Sequence, residues 1–369
     1  MIQENMLRCR VKQSKAEWIE LLRILACFCI ILLHVSAEAW YNVEIYSIQW
    51  VGYQIVNSIS RLGVDVFIMI SGALFLGNDR GSSIQKIKKY ICKIVCLICV
   101  WSVGYFTLRF AVGDIIIRSV SDIFNGILNG YYHLWYLWTV LGLYLISPIL
   151  KKFVVDKKIC EYFLILCMVV CWIPEFLSII PSWNKFLKII FEEKMNFYMP
   201  MGYIGCYVLG YYLYQFGLCE KKIRILVVLG FLGAIYGSIG GILYSRYIGK
   251  ATQVTFNNLT ISTVCYSAMV FFIFYKKFSC IKFSEKAKNI IYQVGNSTLG
   301  IYLIHVLLVK LISDKVLLKM NYRYPIVSIP LSACIFVISF GVIEYYVAAE
   351  PPVRCGESHH SGQTEPPYY

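Results

Sequence analysis

The chain has 369 residues, 59% of them hydrophobic and only 15% charged, with a formal net charge of +14. Together with a mean hydropathy of +0.64, this excludes a soluble globular domain, whose water-facing exterior needs more polar cover than such a composition supplies. The apolar residues come in runs of about 20, the number that matches the hydrocarbon thickness of a bilayer. The chain therefore reads as an all-α polytopic membrane protein.

Residues 1–18, with Arg8, Arg10, Lys12 and Lys15, form a basic tail. The apolar run after it reads as a signal anchor, because it is too long for a cleavable signal peptide and no small-residue cleavage site follows. Ten spanning segments are expected near 19–40, 51–77, 90–110, 132–150, 160–181, 199–217, 224–244, 258–275, 290–312 and 324–347, making one membrane domain over 19–347. The connectors test that count. Those on the side of the N-terminus carry 22 Lys and Arg residues and the opposite set 11, so both termini are expected in the cytoplasm. Trp40, Tyr41, Trp50, Tyr131, Tyr132 and Trp183 mark the other interface as an aromatic belt.

Residues 348–369 shift abruptly to Pro, Glu, His and Ser, and this tail is expected to be disordered. The break in composition also fits an extension of non-native origin. The basic charge sits in connectors, where it sets topology and meets anionic headgroups, so no nucleic-acid partner is expected. Most of the 15 cysteines lie inside apolar runs. Cys96 and Cys99 have no second pair beside them, and His359-His360 stand alone in the tail, so neither a disulfide framework nor a metal site is expected.

Ionisable residues inside spanning segments are costly, and they mark candidate functional positions. The first segment carries Arg23 near the cytoplasmic end and His34 deeper in. Eleven residues apart, the two differ by about 20° around a helix and stand about 16.5 Å apart along it. Glu38, one turn beyond His34, is placed to orient the imidazole. In the second segment Asn57, Arg61 and Asp65 recur at every fourth residue as a polar stripe, in which Arg61 and Asp65 can pair. Ser71-Gly72 further along should let another helix approach closely. His133 opens the fourth segment and His305 lies in the ninth, at a depth similar to His34. Histidines at one level on three helices suggest a shared polar site, although each alone is more often an interhelical hydrogen-bond donor.

These residues sit in stretches that resemble the integral-membrane acyltransferase 3 family. Arg23-x10-His34, "RLGVDVFIMISGALF", "HLWYLWTVLGLYLISPIL" and "LGIYLIHVLL" follow one another in the family's order, from residue 20 to about 310. The resemblance implies a ten-helix membrane enzyme. It would transfer an acyl group, generally acetyl from acetyl-CoA, to a hydroxyl of an extracytoplasmic glycan or other cell-envelope acceptor at a bacterial plasma membrane. His34 would be the essential histidine, acting as base or acyl relay, with Arg23 its motif partner and Glu38 its helper. Arg61, Lys89 and Lys93 would bind the donor. Asn57, Asp65, Ser71, His133, Trp135, Tyr302 and His305 would line the polar cavity. Acyl-CoA would be a co-substrate, with no bound cofactor. One departure stands out: where the family's third helix opens on R-x2-R-x3-P, this chain has Tyr90 and Lys93 in place of the arginines and Leu97 in place of the proline. Lysine keeps the charge but lacks the bidentate donor fork.

Two other readings fit the residues. Helices around a polar cavity with intramembrane charges also suit a small-solute transporter or exporter, and a membrane scaffold would need no such stripe at all. Acyl transfer requires a donor and His34, whereas transport requires neither.

Overall fold

A computed structural model describes residues 17–77, 84–199, 201–320 and 322–349. Of the basic tail read over 1–18 and the disordered tail read over 348–369, residues 1–16 and 350–369, with the histidine pair, lie outside the described residues, while Glu17, Trp18, Ala348 and Ala349 are helical. Among those described, every regular element is helical and there is no strand. In chain order the elements are α1 (Glu17–Asn42), α2 (Ile48–Ser60), α3 (Leu62–Gly77), α4 (Ile84–Ala111), α5 (Val120–Asn129), α6 (Trp135–Val154), α7 (Lys157–Cys167), α8 (Ile204–Gln215), α9 (Glu220–Ile235), α10 (Ile261–Phe278), α11 (Glu285–Leu308) and α12 (Ser328–Ala349). Continuous helical turns prolong α7 to Ile179 and α9 to Ile248.

Eight spans among the described residues are long and apolar enough to cross a membrane: α1, α2 with α3, α4, α6, α7, α9, α10 and α12. The chain is thus a multi-pass membrane protein. Two further expected segments correspond to α8 and α11. With 12 residues, α8 is only about 18 Å long, well short of the hydrocarbon core. It is apolar on all sides and sits in the middle of the molecule, with Cys206, Tyr207 and Val208 fully buried.

The packing around α8 rests on missing side chains. A Cβ on Gly72 of α3 would overlap the carbonyl oxygen of Tyr207, and one on Gly210 of α8 would overlap that of Met69. The close approach expected at Ser71-Gly72 is therefore made by α8. The same device seats α9 on α10, where Gly233 faces the Ser262 carbonyl and Gly230 faces Met269. Between helices in lipid, small residues of this kind replace the hydrophobic drive available in water.

The span expected over 51–77 is found as one stretch, Ile48–Gly77, interrupted for one residue at Arg61 between α2 and α3. The Ser60 hydroxyl donates to the Val56 carbonyl (2.7 Å), a back-bond that bends helices. Gly63 just beyond the break presses α3 against the Ala26 carbonyl oxygen, to which an added Cβ would lie at 2.7 Å. Between α4 and α6 the chain adds α5, a helix that the sequence reading did not include. Ser119 and Asp122 form its reciprocal capping box, with Asp122 N–H to Ser119 Oγ at 3.2 Å and Ser119 N–H to Asp122 Oδ2 at 2.9 Å. The Ser-x-x-Asp signature was there to be read.

Replacing Gly210 with valine should therefore destabilise the protein by about 1–3 kcal/mol or more, the usual cost of overpacking. Gly104→Ala and Gly142→Ala, where an added Cβ meets nothing within 4 Å, should not lower stability. Thermal unfolding followed by size-exclusion fluorescence in detergent would check both; equal melting temperatures for Gly210→Val and wild type would contradict the crossing.

Candidate active site

The three histidines expected at one level do meet. His34 comes from α1, His305 from the last turn of α11, and His133 from a tight turn, Tyr132–Leu134, that leads into α6. Gly130 closes α5 with φ +58°, a conformation that favours glycine, and so brings Tyr131, Tyr132 and His133 round to face α1 and α11. The ring of His305 lies 5.3 Å from that of His34 and 5.6 Å from that of His133, centre to centre. Tyr132 stands 5.3 Å from His34 on its other side.

Main-chain hydrogen bonds hold this group. The Tyr302 hydroxyl donates to the His133 carbonyl in a very short contact. Tyr105 of α4 donates to the Leu303 carbonyl at 2.7 Å, and its ring lies 5.0 Å from that of His133. His305, fully buried, has Nδ1 2.6 Å from the Tyr302 carbonyl oxygen. A carbonyl only accepts, so Nδ1 carries the proton and Nε2 presents a lone pair. That Nε2 is buried and has no hydrogen-bond partner among the described residues.

His34 itself is half-buried and lines a cavity of about 440 Å³. Its other walls include Glu38, Tyr41, Arg61, Tyr132, Gln253 and Lys310. Arg61 stands in the break between α2 and α3, with its guanidinium 5.3 Å above the Phe256 ring and its Nε buried without a partner. Lys310, in contrast, forms a short ion pair with Asp114, and Gln253 donates to the Tyr41 hydroxyl (2.8 Å). The cavity thus combines a cation, a carboxylate, aromatic faces, an amide and an imidazole, a set suited to a polyhydroxylated molecule.

Several expectations need correction. Glu38 lines the cavity but does not hold His34; its carboxylate accepts from the Asn42 amide at 2.9 Å, one turn further along the same helix. Arg61 and Asp65 do not form an ion pair among the described residues. Asp65 is fully buried and accepts instead from Ser267 of α10 at 3.3 Å, while the Arg61 guanidinium lies over the Phe256 ring. Arg61 also lies apart from Lys89 and Lys93. Those two are exposed near the start of α4, and Lys93 precedes Tyr105 by 12 residues, about 18 Å of helix.

The remaining predicted residues are placed as follows. Arg23 donates from Nη1 to both carboxylate oxygens of Glu20, at 2.8 and 3.1 Å, and Gly295 of α11 leaves the room that Glu20 occupies. Asn57 is fully buried with neither side-chain atom partnered. Ser71 bonds the Phe67 carbonyl of its own helix at 3.0 Å, and Trp135 lies 5.4 Å from Tyr203, ring to ring. None of these lines the His34 cavity. Sequence reasoning missed Tyr41, Tyr105, Tyr131, Tyr132, Gln253 and Lys310 as site residues. The tyrosines before His133 looked like an interfacial belt, and Gln253 in a connector carried no signal.

A family model described as an acyltransferase domain matches residues 16–344. No curated protein and no solved structure matches the chain.

The hydrogen bond from Asn42 predicts that Glu38→Gln leaves acyl transfer within about threefold of wild type, far less than the loss of a general base, which is about 10²–10⁴-fold. His305→Ala, which removes the ring packed on His34, should cost at least about tenfold on the same scale. Steady-state rates of both variants would decide it, and the reverse ranking would restore Glu38 as the partner of His34.

Proposed function

The chain belongs to this acyltransferase family, and from that premise we propose that it is a membrane O-acyltransferase. It would move an acyl group, acetyl in the simplest case, from cytoplasmic acyl-CoA to a hydroxyl of a glycan or other cell-envelope acceptor across a bacterial plasma membrane. The observation that carries this reading is the position of His34 in the wall of the 440 Å³ cavity, packed on the ring of a second histidine, His305.

The proposed chemistry needs little more than these groups. The acceptor hydroxyl enters the cavity among Arg61, Tyr41 and Gln253 and gives its proton to the His34 imidazole as its oxygen attacks the thioester carbon. A tetrahedral oxyanion forms and collapses, the carbon–sulfur bond breaks, and the leaving CoA sulfur takes the proton back from His34. Arg61, a guanidinium without a carboxylate on it, suits either the developing oxyanion or an acceptor oxygen. His305 keeps the His34 ring in place, with His133 packed behind it.

The donor would lie at the opposite end. Arg23, about 16.5 Å below His34 along α1, and Lys89 and Lys93 on α4 supply cationic groups for CoA phosphates, while the pantetheine arm spans the distance. Glu20 holds the Arg23 guanidinium in position. Acyl-CoA is consumed as co-substrate, and no bound cofactor is invoked. This arrangement fits both termini in the cytoplasm, with α11 and the short, buried α8 completing the membrane domain beside the eight long spans.

The test is acyl-CoA turnover by protein in nanodiscs, using labelled acetyl-CoA and a panel of glycan acceptors. His34→Ala should abolish transfer by about 10²–10⁴-fold, and Arg23→Ala should raise the KM for acyl-CoA more than it lowers kcat. Solute flux that needs no acyl donor and survives His34→Ala would instead favour a transporter.

A further inference from the structure

A second cavity lies far from the histidines and has a different chemistry. It measures about 470 Å³ and is lined by one face each of α7, α8, α9 and α10, including Leu164, Met168, Trp172, Leu213, Leu226 and Val264. Its existence follows from the packing already described. Gly230 and Gly233 press α9 onto α10, while α8 is too short to fill the space between α7 and α9. Ile165 of α7 and Ile225 and Leu229 of α9 are exposed along it, so it opens to the surrounding hydrocarbon. Engineered apolar cavities of about 150 Å³ stay dry and take up hydrocarbon ligands; a groove three times that size within a bilayer calls for an acyl chain.

The groove is not apolar throughout. At the end shared by the starts of α7 and α9 its wall becomes polar: Lys222 pairs with Glu161 at 3.5 Å, and Tyr212 donates to the same carboxylate at 2.5 Å. Lys157 lies over the Phe216 ring at 5.9 Å, and Lys158, Lys221 and Arg224 are exposed close by in sequence. Set against Asp156, Glu161 and Glu220, these five cations leave the mouth positively charged. A basic mouth on an apolar groove between helices matches an anionic lipid headgroup above its own acyl chain.

We propose that this groove binds an anionic phospholipid, with one acyl chain against Trp172 and Leu226 and the phosphate at Lys222 and Lys157. The site is separate from the His34 cavity and does not depend on what reaction that cavity performs. Glu161 and Tyr212 orient the Lys222 ammonium so that it faces the headgroup as well as the carboxylate.

Trp172 is a built-in reporter. Protein would be reconstituted in vesicles of phosphatidylcholine mixed with phosphatidylglycerol, one or the other carrying brominated acyl chains. Subtracting the fluorescence of Trp172→Phe isolates this residue from the other tryptophans. Brominated phosphatidylglycerol should quench the Trp172 signal at a severalfold lower mole fraction than brominated phosphatidylcholine, and Lys157→Gln/Lys222→Gln should abolish that preference. Equal quenching by both lipids in the wild-type protein would reduce the groove to non-selective lipid contact and overturn the proposal. So would a Trp172 signal that neither lipid quenches. Both of these outcomes are read without the lysine variant, so a folding defect there leaves the test decisive.

Discussion

Inside a bilayer a polar group has no water to fall back on, so each must find its partner within the protein. That constraint organises the whole site. Tyr302 on α11 and Tyr105 on α4 could not sit in the apolar interior unless their hydroxyls reached acceptors, and both do so on main-chain carbonyls of neighbouring segments, at His133 and Leu303. Because a backbone carbonyl moves only with its whole segment, these bonds fix α4, α11 and the turn before α6 relative to one another. The rings of His133 and His305 are thereby set against His34 with little freedom. The same rule acts elsewhere, in the Ser147–Tyr207 hydroxyl pair (2.8 Å) and in Trp40, whose indole donates to Gln54 at 2.6 Å.

Against that background the unpartnered groups stand out. His305 Nε2, Arg61 Nε and the amide of Asn57 are buried and unsatisfied, and burial without a partner is expensive. Arg61 lines the His34 cavity and His305 packs on His34, whereas other unpartnered atoms, among them those of Tyr53, Asp65 and Trp172, lie outside that lining. At the opposite end Arg23 has its carboxylate, Glu20, and at the cavity rim Lys310 has Asp114. Arg61 Nε and His305 Nε2 are thus open to a reacting molecule, while Glu17 and Asp65 each keep an unpartnered carboxylate oxygen away from the cavity lining.

Shape comes from a different source. The glycine contacts of α3 with α8 and of α9 with α10 let backbones touch, and the break at Arg61 follows from a serine back-bond and a glycine pressed against α1. Close packing on one side leaves α8 short and the groove beside α7 open. One set of small residues thus shapes both the tight centre of the protein and its lipid-facing hollow.

Much of this was legible in the chain itself. Hydrophobic runs, connector charge and the spacing from Arg23 to His34 are one-dimensional quantities, and they indicated a helical membrane protein, the faces of α1 and α3, and a common level for His34, His133 and His305. Pairings across helices were not legible. Glu38 is held by Asn42, Asp65 by Ser267, and Arg61 turns towards Phe256, because each side chain takes the nearest well-placed partner and that partner comes from the packing. Gln253, Tyr41 and Lys310 join the cavity only when a connector, a helix end and a helical turn meet in space. The sequence alone determined which residues must be in the membrane and at what depth, since burial cost and helical rise act along a single segment; only the tertiary structure decided which of them face one another, since hydrogen bonds and cavities depend on the relative placement of several.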